Sequence, residues 1–255
     1  MVSFLQDQIN NDGANMKFTR RYTTNWHDTD IDHAVRPSRI VVYMQETSSA
    51  HIESCGYSLG DLRSKRGLAF ILSKISLAIY SPIRAYEDID VQTWTCASKG
   101  YSFIRCFRIL RGEEIVAEAH SVWALVDIKN KTICRVEECG FDFEDEDALE
   151  LDLPKRFRLP ADRELCELGT KKILYSDIDN NMHMNNTRYP DMLCDHMPID
   201  KVRRIKGMTL SFLREAAFED TVSINGCEKD GIYYFRTFNT AGDVCLEAQV
   251  VLKEE

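Results

Sequence analysis

The sequence predicts an α+β protein built twice over: two strongly curved antiparallel sheets, each wrapping one central helix. Three observations carry this. A helical pattern at 38–55 is followed by five short alternating or β-branched segments separated by turn signals. The same order of strand, helix and meander returns after residue 165. Short letter matches link the copies. Asp30-Ile31-Asp32 matches Asp177-Ile178-Asp179, each after a strand and before a helix, and Arg84-Ala85-Tyr86-Glu87-Asp88 matches the stretch from Arg214 to Asp220. A period above about 100 residues means duplicated domains, not a solenoid. Two such halves pair most economically by joining sheets edge to edge, which also covers exposed edges.

After a polar tail, residues 16–26 alternate well enough for a first strand. Val41, Met44, Ser48, Ile52 and Cys55 recur at helical spacing and give a helix over 38–55, with Gly56 just past its end. Ser58 and Asp61 open a capping-box-like second helix that ends near Gly67. Strands follow at 68–80, 90–98, 101–110, 115–127 and 132–136, divided by Lys99-Gly100, Arg111-Gly112 and Lys129-Asn130. Residues 137–164 are acidic, then basic between Pro154 and Pro160. They read as a linker over the surface, with a structured excursion packed on the sheet as the alternative. The second half reads as a strand at 168–175, a helix at 187–195, a strand at 202–213, and a meander of strands at 221–228, 232–238 and 244–252. The expected division is a unit over 1–136, a linker over 137–164 and a second unit over 165–255.

Composition narrows the classes. Of 255 residues, 44% are hydrophobic and 29% charged, which suits a globular chain with a sizeable core. A net charge of −9 argues against nucleic acid as a bulk partner. No apolar run approaches the roughly 18 residues of a membrane span. The first residues carry no basic segment followed by an apolar one, and Val2 is not the glycine of a myristoylation signal. Nine scattered cysteines, never spaced C-x-x-C, fit a reducing cytoplasm. No metal cluster appears, since His27 and His33 flank Asp28, Asp30 and Asp32 at a spacing that suits no standard zinc site. No cofactor is expected.

The chemistry concentrates in 176–193, SDIDNNMHMNNTRYPDML. In an extended segment, alternate residues point the same way, so Asp179, Asn181 and His183 would share one side. A carboxylate, an amide and an imidazole side by side can orient one another and polarise a carbonyl. Asn186 or Thr187 can cap the next helix, and Pro190 is tolerated in its first turn. That helix start would add backbone donors for a developing oxyanion.

At this point the chain resembles a known family. The order of strand, D-x-x-x-[HN] turn, helix and meander resembles the hotdog fold, here in tandem, and the whole is similar to the acyl-acyl carrier protein (acyl-ACP) thioesterases. In the first half the likeness rests on Thr93-Trp94, Arg105, Phe107, Gly112-Glu113 and Ala119-x-Ser121-x-Trp123, closed by Asp127. In the second it rests on Asp179-x-Asn181-x-His183-x-Asn185-Asn186-x-x-Tyr189 and on Leu210-Ser211-Phe212-Leu213-Arg214-Glu215.

The resemblance implies that Asp179, Asn181, His183 and Glu215 carry thioester hydrolysis. Glu215 would act as general base on water, Asn181 and helix-start N–H groups would stabilise the oxyanion, His183 would position the water or protonate the leaving thiolate, and Asp179 would orient its neighbours. In the first half Asp32 and His33 are followed by Ala34-Val35-Arg36 and leave no N-x-H. That half would be catalytically silent, with Asp32 and His33 capping and packing at the junction. The family often has cysteine directly after the glutamate; here it is Ala216, so water must attack. The acyl chain would enter a tunnel between sheet and helix in the first half, lined by Met44, Ile71, Trp94 and Trp123. An acidic acyl carrier protein would dock on Lys201, Arg203, Arg204 and Lys206, with Lys155, Arg156 and Arg158 next. Duplication already supplies the pairing of single-hotdog proteins and leaves a homodimer open. The competing readings are a thioesterase of acyl-coenzyme A, a hotdog hydroxyacyl-thioester dehydratase, and a non-catalytic acyl-thioester-binding module.

Overall fold

The computed structural model describes residues 17–141, 143 and 145–254; the polar tail lies outside them. The first half runs β1 (Phe18–Thr23), α1 (Pro37–Ser54), α2 (Leu59–Asp61), β2 (Leu68–Ile79), β3 (Asp88–Lys99), β4 (Ser102–Arg111), β5 (Glu114–Asp127) and β6 (Thr132–Ile133). After the short β7 (Asp145–Glu146), the second half runs β8 (Cys166–Lys172), α3 (Tyr189–Cys194), α4 (Ile199–Val202), β9 (Ile205–Phe212), β10 (Thr221–Lys229), β11 (Ile232–Phe238) and β12 (Val244–Leu252).

All the strands belong to one antiparallel sheet apart from the parallel pairing of β7 with β3. Its order is β1-β3-β4-β5-β2-β9-β12-β11-β10-β8, so each half contributes five strands and the halves meet at β2 and β9. That joint is the edge-to-edge pairing the sequence predicts. Its register sets Lys74 opposite Ser211 and Ala78 opposite Gly207. Gly207 has to be glycine here, because a Cβ would lie 2.5 Å from the Leu77 carbonyl oxygen.

α1 is the long helix that periodicity predicts. Ile40, Val41, Met44, Thr47, Ser48 and Ile52 are buried, while Cys55 falls just past the last turn and is exposed. Gly56, at φ +86°, lets the chain reverse. The second helix extends α2 by a wider π turn, Leu62–Arg66, closed by Gly67 at φ +67°. One hydrophobic core runs through both halves, from Met44 and Phe107 to Leu193 and Phe235.

The helix of the second half runs over 186–194, one residue from the predicted 187–195. It begins as a 3₁₀ turn, Asn186–Arg188, and the α-helical part ends at Cys194. Pro198 follows closely and starts α4 instead.

Residues 145–157 run along the sheet's outer face. β7 pairs in parallel with Thr95 and Cys96, the Asp147 carbonyl accepts from Trp94 Nε1 (3.0 Å), and Asp152 meets Lys206 (2.7 Å). Phe157 reaches Tyr234 edge-on. The segment covers a second apolar cluster, Trp94, Cys96 and Cys106, on the face away from α1.

Candidate active site

Residues 176–185 fold as a tight loop, not as the extended stretch that alternation suggests. The Asp179 N–H donates to the His183 carbonyl (3.0 Å), the Met182 N–H donates to the Asp179 carbonyl (3.1 Å), and Met182 takes φ +63°. Inside the turn, the Asp179 carboxylate accepts from the Asn181 N–H (2.7 Å) and the Asn181 side-chain amide (3.2 Å). This is the Asx habit of aspartate. Asp179, Asn181 and His183 are therefore gathered by a turn.

His183 then pairs with Ala217 across a β-bridge, which sets it beside the chain leaving β9. Its Nε2 lies 3.2 Å from Glu215 Oε2. A neutral imidazole in this contact carries its proton on Nε2 and donates it to the carboxylate. The His183 side chain is 31% exposed and that of Glu215 58%, so water reaches the carboxylate directly. Two of the expected helix-start donors are taken, because Asn185 Oδ1 accepts from the Thr187 N–H (2.9 Å) and hydroxyl (2.8 Å), and the Asn185 carbonyl accepts from the Arg188 N–H (2.9 Å). Asn185 is the cap, in place of Asn186 or Thr187.

A neighbour missed in the sequence comes from the other half. Arg63, on the π turn after α2, donates to Asn181 Oδ1. Asn181 thus has its oxygen held by Arg63 and one amide hydrogen held by Asp179, which leaves one N–H to point elsewhere. The two residues are 118 positions apart. The signal within reach was a basic turn, Arg63 to Arg66, just before Gly67.

The duplication has a different register from the one letters suggest. Asp30 N–H to Ala34 carbonyl (2.8 Å) repeats Asp179 to His183, and Arg36 N–H to Asp28 carbonyl (3.0 Å) repeats Asn185 to Asp177 (2.8 Å). Val35 to Ile83 repeats Met184 to Ala216, both at 2.8 Å, and His33 at φ +59° takes the place of Met182. Asp179 therefore corresponds to Asp30, not Asp32, and a letter match two residues out of step is corrected. In this register Asp32 stands for Asn181, Ala34 for His183 and Pro82 for Glu215. Of the four candidate catalytic residues, only the turn-bracing Asp179 has its like in the first half: Asp30 Oδ1 accepts from Asp32 N–H (2.8 Å) and Ala34 N–H (3.1 Å). Asp32 instead pairs with Arg203 of the other half (2.7 Å), as expected at the junction, whereas His33 packs on Trp26 within its own half.

The four acyl-pocket candidates are not brought together. Met44 is buried in the core shared by α1 and the sheet, and Trp123 packs partly against it. Trp94 lies in the outer-face cluster under residues 145–149, and Ile71 is 40% exposed. Strand alternation is the reason. Val91 and Leu72 occupy the helix-facing positions, which sends Trp94 and Ile71 to the opposite face. These two cannot line a helix–sheet tunnel.

The docking candidates are mostly engaged within the chain. Lys201 lies 3.9 Å from Asp200, Arg203 pairs with Asp32, Lys206 pairs with Asp152, and Arg204 donates to the Lys253 carbonyl (2.7 Å). They form no uncompensated basic patch.

Folding does bring one thiol close. Cys245 Sγ lies 3.8 Å from the Glu215 carbonyl oxygen, but it is fully buried, and burial pushes its pKa up to about 11. Burial raises Cys194 to about 12. Neither supplies a thiolate near neutral pH.

The fold and loop define a class, the double hotdog proteins. A crystal structure of an acyl-ACP thioesterase from Bacteroides thetaiotaomicron superposes with TM-score 0.84 at 19% identity, covering 93% of this chain and 98% of that one. The 12:0-ACP thioesterase from Umbellularia californica gives 0.80 at 19% identity over 94% and 98%. Family models for the acyl-ACP thioesterase N-terminal domain and C-terminal domain match residues 15–141 and 166–247. The chain belongs to the acyl-ACP thioesterase family. A chloroplastic palmitoyl-acyl carrier protein thioesterase of Arabidopsis thaliana is 23% identical over 92% of this chain. This chain spans 60% of that relative's length.

Proposed function

We propose that this protein hydrolyses the thioester of acyl-ACP, releasing a free fatty acid and ending chain elongation in fatty acid biosynthesis. Family membership supports the substrate class. The observation that carries the chemistry is the 3.2 Å contact of His183 with a water-accessible Glu215, beside an Asn181 amide held from two sides.

Glu215 accepts a proton from water as the water oxygen adds to the thioester carbonyl carbon. The free Asn181 N–H stabilises the oxyanion, a contribution worth about 3 kcal/mol for one well-placed donor. His183 Nε2–H steadies the Glu215 carboxylate. When the tetrahedral intermediate collapses, the C–S bond breaks and His183 relays the proton from Glu215 to the leaving thiolate. Asp179 is a positioning residue, since the silent half keeps its counterpart Asp30 without any of the reactive groups. Arg63 is a second one. The first half receives the acyl chain around Met44 and Trp123. The carrier protein docks through Lys201, Arg203, Arg204 and Lys206 only if it displaces their internal acidic partners, and salt-dependent KM values for variants of the four test that. No disulfide joins any of the cysteines among the described residues, which supports a cytoplasmic setting. None of the helices in the described residues is long and apolar enough to cross a membrane. Light scattering on the purified chain tests the homodimer.

The deciding experiment is thiol release from a panel of acyl-ACPs, with coenzyme A esters alongside, for wild type and Glu215→Ala. Cleavage of acyl-ACP that Glu215→Ala abolishes while still folded supports the assignment. Release from coenzyme A esters alone moves the substrate to acyl-coenzyme A. No release from any ester refutes hydrolysis and leaves the dehydratase or the binding module.

A further inference from the structure

Between the first turns of the two central helices lies a cavity of about 380 Å³. His183, Glu215 and Asn181 do not line it. The duplication explains its make-up. Arg36, Ser38 and Arg39 on one wall correspond to Asn185, Thr187 and Arg188 on the other, by the shared hydrogen bonds to Asp28 and Asp177. The walls have diverged at the cap. Asn185 accepts the Thr187 N–H and closes its own helix start, whereas Arg36 has no acceptor to offer, so the 18-residue α1 has no side-chain cap. Its positive end and a guanidinium thus face the same space.

A second observation points to a ligand. Ser38 is 3% exposed and lines the cavity, and its hydroxyl has no hydrogen-bond partner among the described residues; nor does the buried Arg36 Nε. The charges sort as follows. Arg39 is neutralised by Asp28 (2.7 Å), whose carboxylate is also filled by Tyr43 and Asn25. Arg36 donates to the His27 carbonyl (3.1 Å) and lies 4.0 Å from Asp191, while the Arg188 side chain, near Asp177, makes no hydrogen bond or ion pair among the described residues. Two guanidiniums, a buried hydroxyl that can donate and the positive end of α1 outweigh the Asp191 carboxylate on the same lining, a donor-rich set that suits a phosphate-type oxyanion.

We infer that this cavity is a binding site for a phosphate-type oxyanion. The anion has two sources: the phosphodiester of a carrier-bound pantetheine arm, which rests on the thioesterase reading, or a free phosphate or phosphorylated metabolite. Calorimetric titration of the full chain with inorganic phosphate, in a low-chloride buffer at pH 7.5, tests the site itself. Saturable binding is expected. It weakens tenfold or more in Arg36→Gln and Arg188→Gln and severalfold in Ser38→Ala, which keeps both charges and the fold, and it tightens in Asp191→Asn. Absence of saturable binding at millimolar phosphate, or unchanged affinity in the arginine variants and Ser38→Ala, overturns the inference. Pantetheine 4′-phosphate and pantetheine then separate the sources. If the phosphorylated arm binds more tightly than phosphate, and Arg36→Gln raises KM for acyl-ACP at constant kcat, the substrate supplies the anion. If phosphate binds as tightly and KM is unmoved, the anion is a separate molecule. The titration needs no turnover, so failure of the thioesterase reading leaves its result standing.

Discussion

Gly207→Ala probes the seam on which the site depends. β2 and β9 hold the two halves together, and the site takes Arg63 from one side of that seam and Asn181 from the other. The new Cβ would sit 2.5 Å from the Leu77 carbonyl oxygen and 2.8 Å from Leu153 Cδ2. Leu153 can rotate; the Leu77 carbonyl is backbone and cannot. Ordinary contact requires the strands to part by roughly 0.8 Å, an overpacking that costs about 1–3 kcal/mol. One weakened ladder hydrogen bond adds about 0.5–1.5 kcal/mol. The sum, roughly 2–4 kcal/mol, lowers Tm by about 5–15 °C for a chain of this size. Scanning calorimetry of Gly207→Ala beside Gly60→Ala measures it, since a Cβ at Gly60 meets nothing closer than Ser58 Oγ at 3.6 Å. A Gly207→Ala protein that melts with Gly60→Ala would refute the claim that the seam is closed at backbone contact.

Four further outcomes follow from the same geometry. Asn181→Ala lowers kcat about 100- to 1,000-fold with little change in KM, read by thiol release, if its amide is the oxyanion donor. Arg63→Ala lowers kcat about 10- to 100-fold by freeing the amide to rotate, and Arg63→Lys restores part of it; equal activity in all three proteins rules out a positioning role. Glu215→Gln keeps the shape and the hydrogen bond from His183 but loses about 100-fold or more of kcat, and a milder loss shows that water is activated elsewhere. The fourth concerns acid. Burial, and then the Arg105 guanidinium 2.8 Å from Nδ1, push the His51 pKa down to about 4. The unfolded chain takes up that proton near pH 6.5 and the folded one near 4, so stability is full above 6.5 and falls by about 2 kcal/mol by pH 4.5. Denaturant titrations at a series of pH values should show this fall in wild type and a flatter one in His51→Gln.

Local pattern was sufficient for much of this molecule. Helical spacing from Val41 to Ile52 gives α1, turn dipeptides such as Lys99-Gly100 divide the meander, and the repeated order of elements gives the tandem architecture, because these signals lie within a few residues of one another. The Asp179–His183 cluster is legible for the same reason, whereas Glu215 comes only through the family resemblance, since nothing local ties it to that loop. What the sequence could not decide depends on contacts between distant residues. The true register of the repeat is written in backbone hydrogen bonds, Asp30 to Ala34 and Asp179 to His183, which tolerate almost any side chain, and so letters placed it two residues out. Trp94 and Ile71 look like pocket residues until strand parity turns them to the outer face. Arg203 and Lys206 look like part of a docking patch until Asp32 and Asp152 are folded against them. Arg63 meets Asn181, and Arg36 faces Arg188 across a cavity, only because β2 and β9 join the halves. Side-chain type and local period are properties of a short segment, whereas which face is covered and which charge is cancelled are properties of whatever the fold brings alongside.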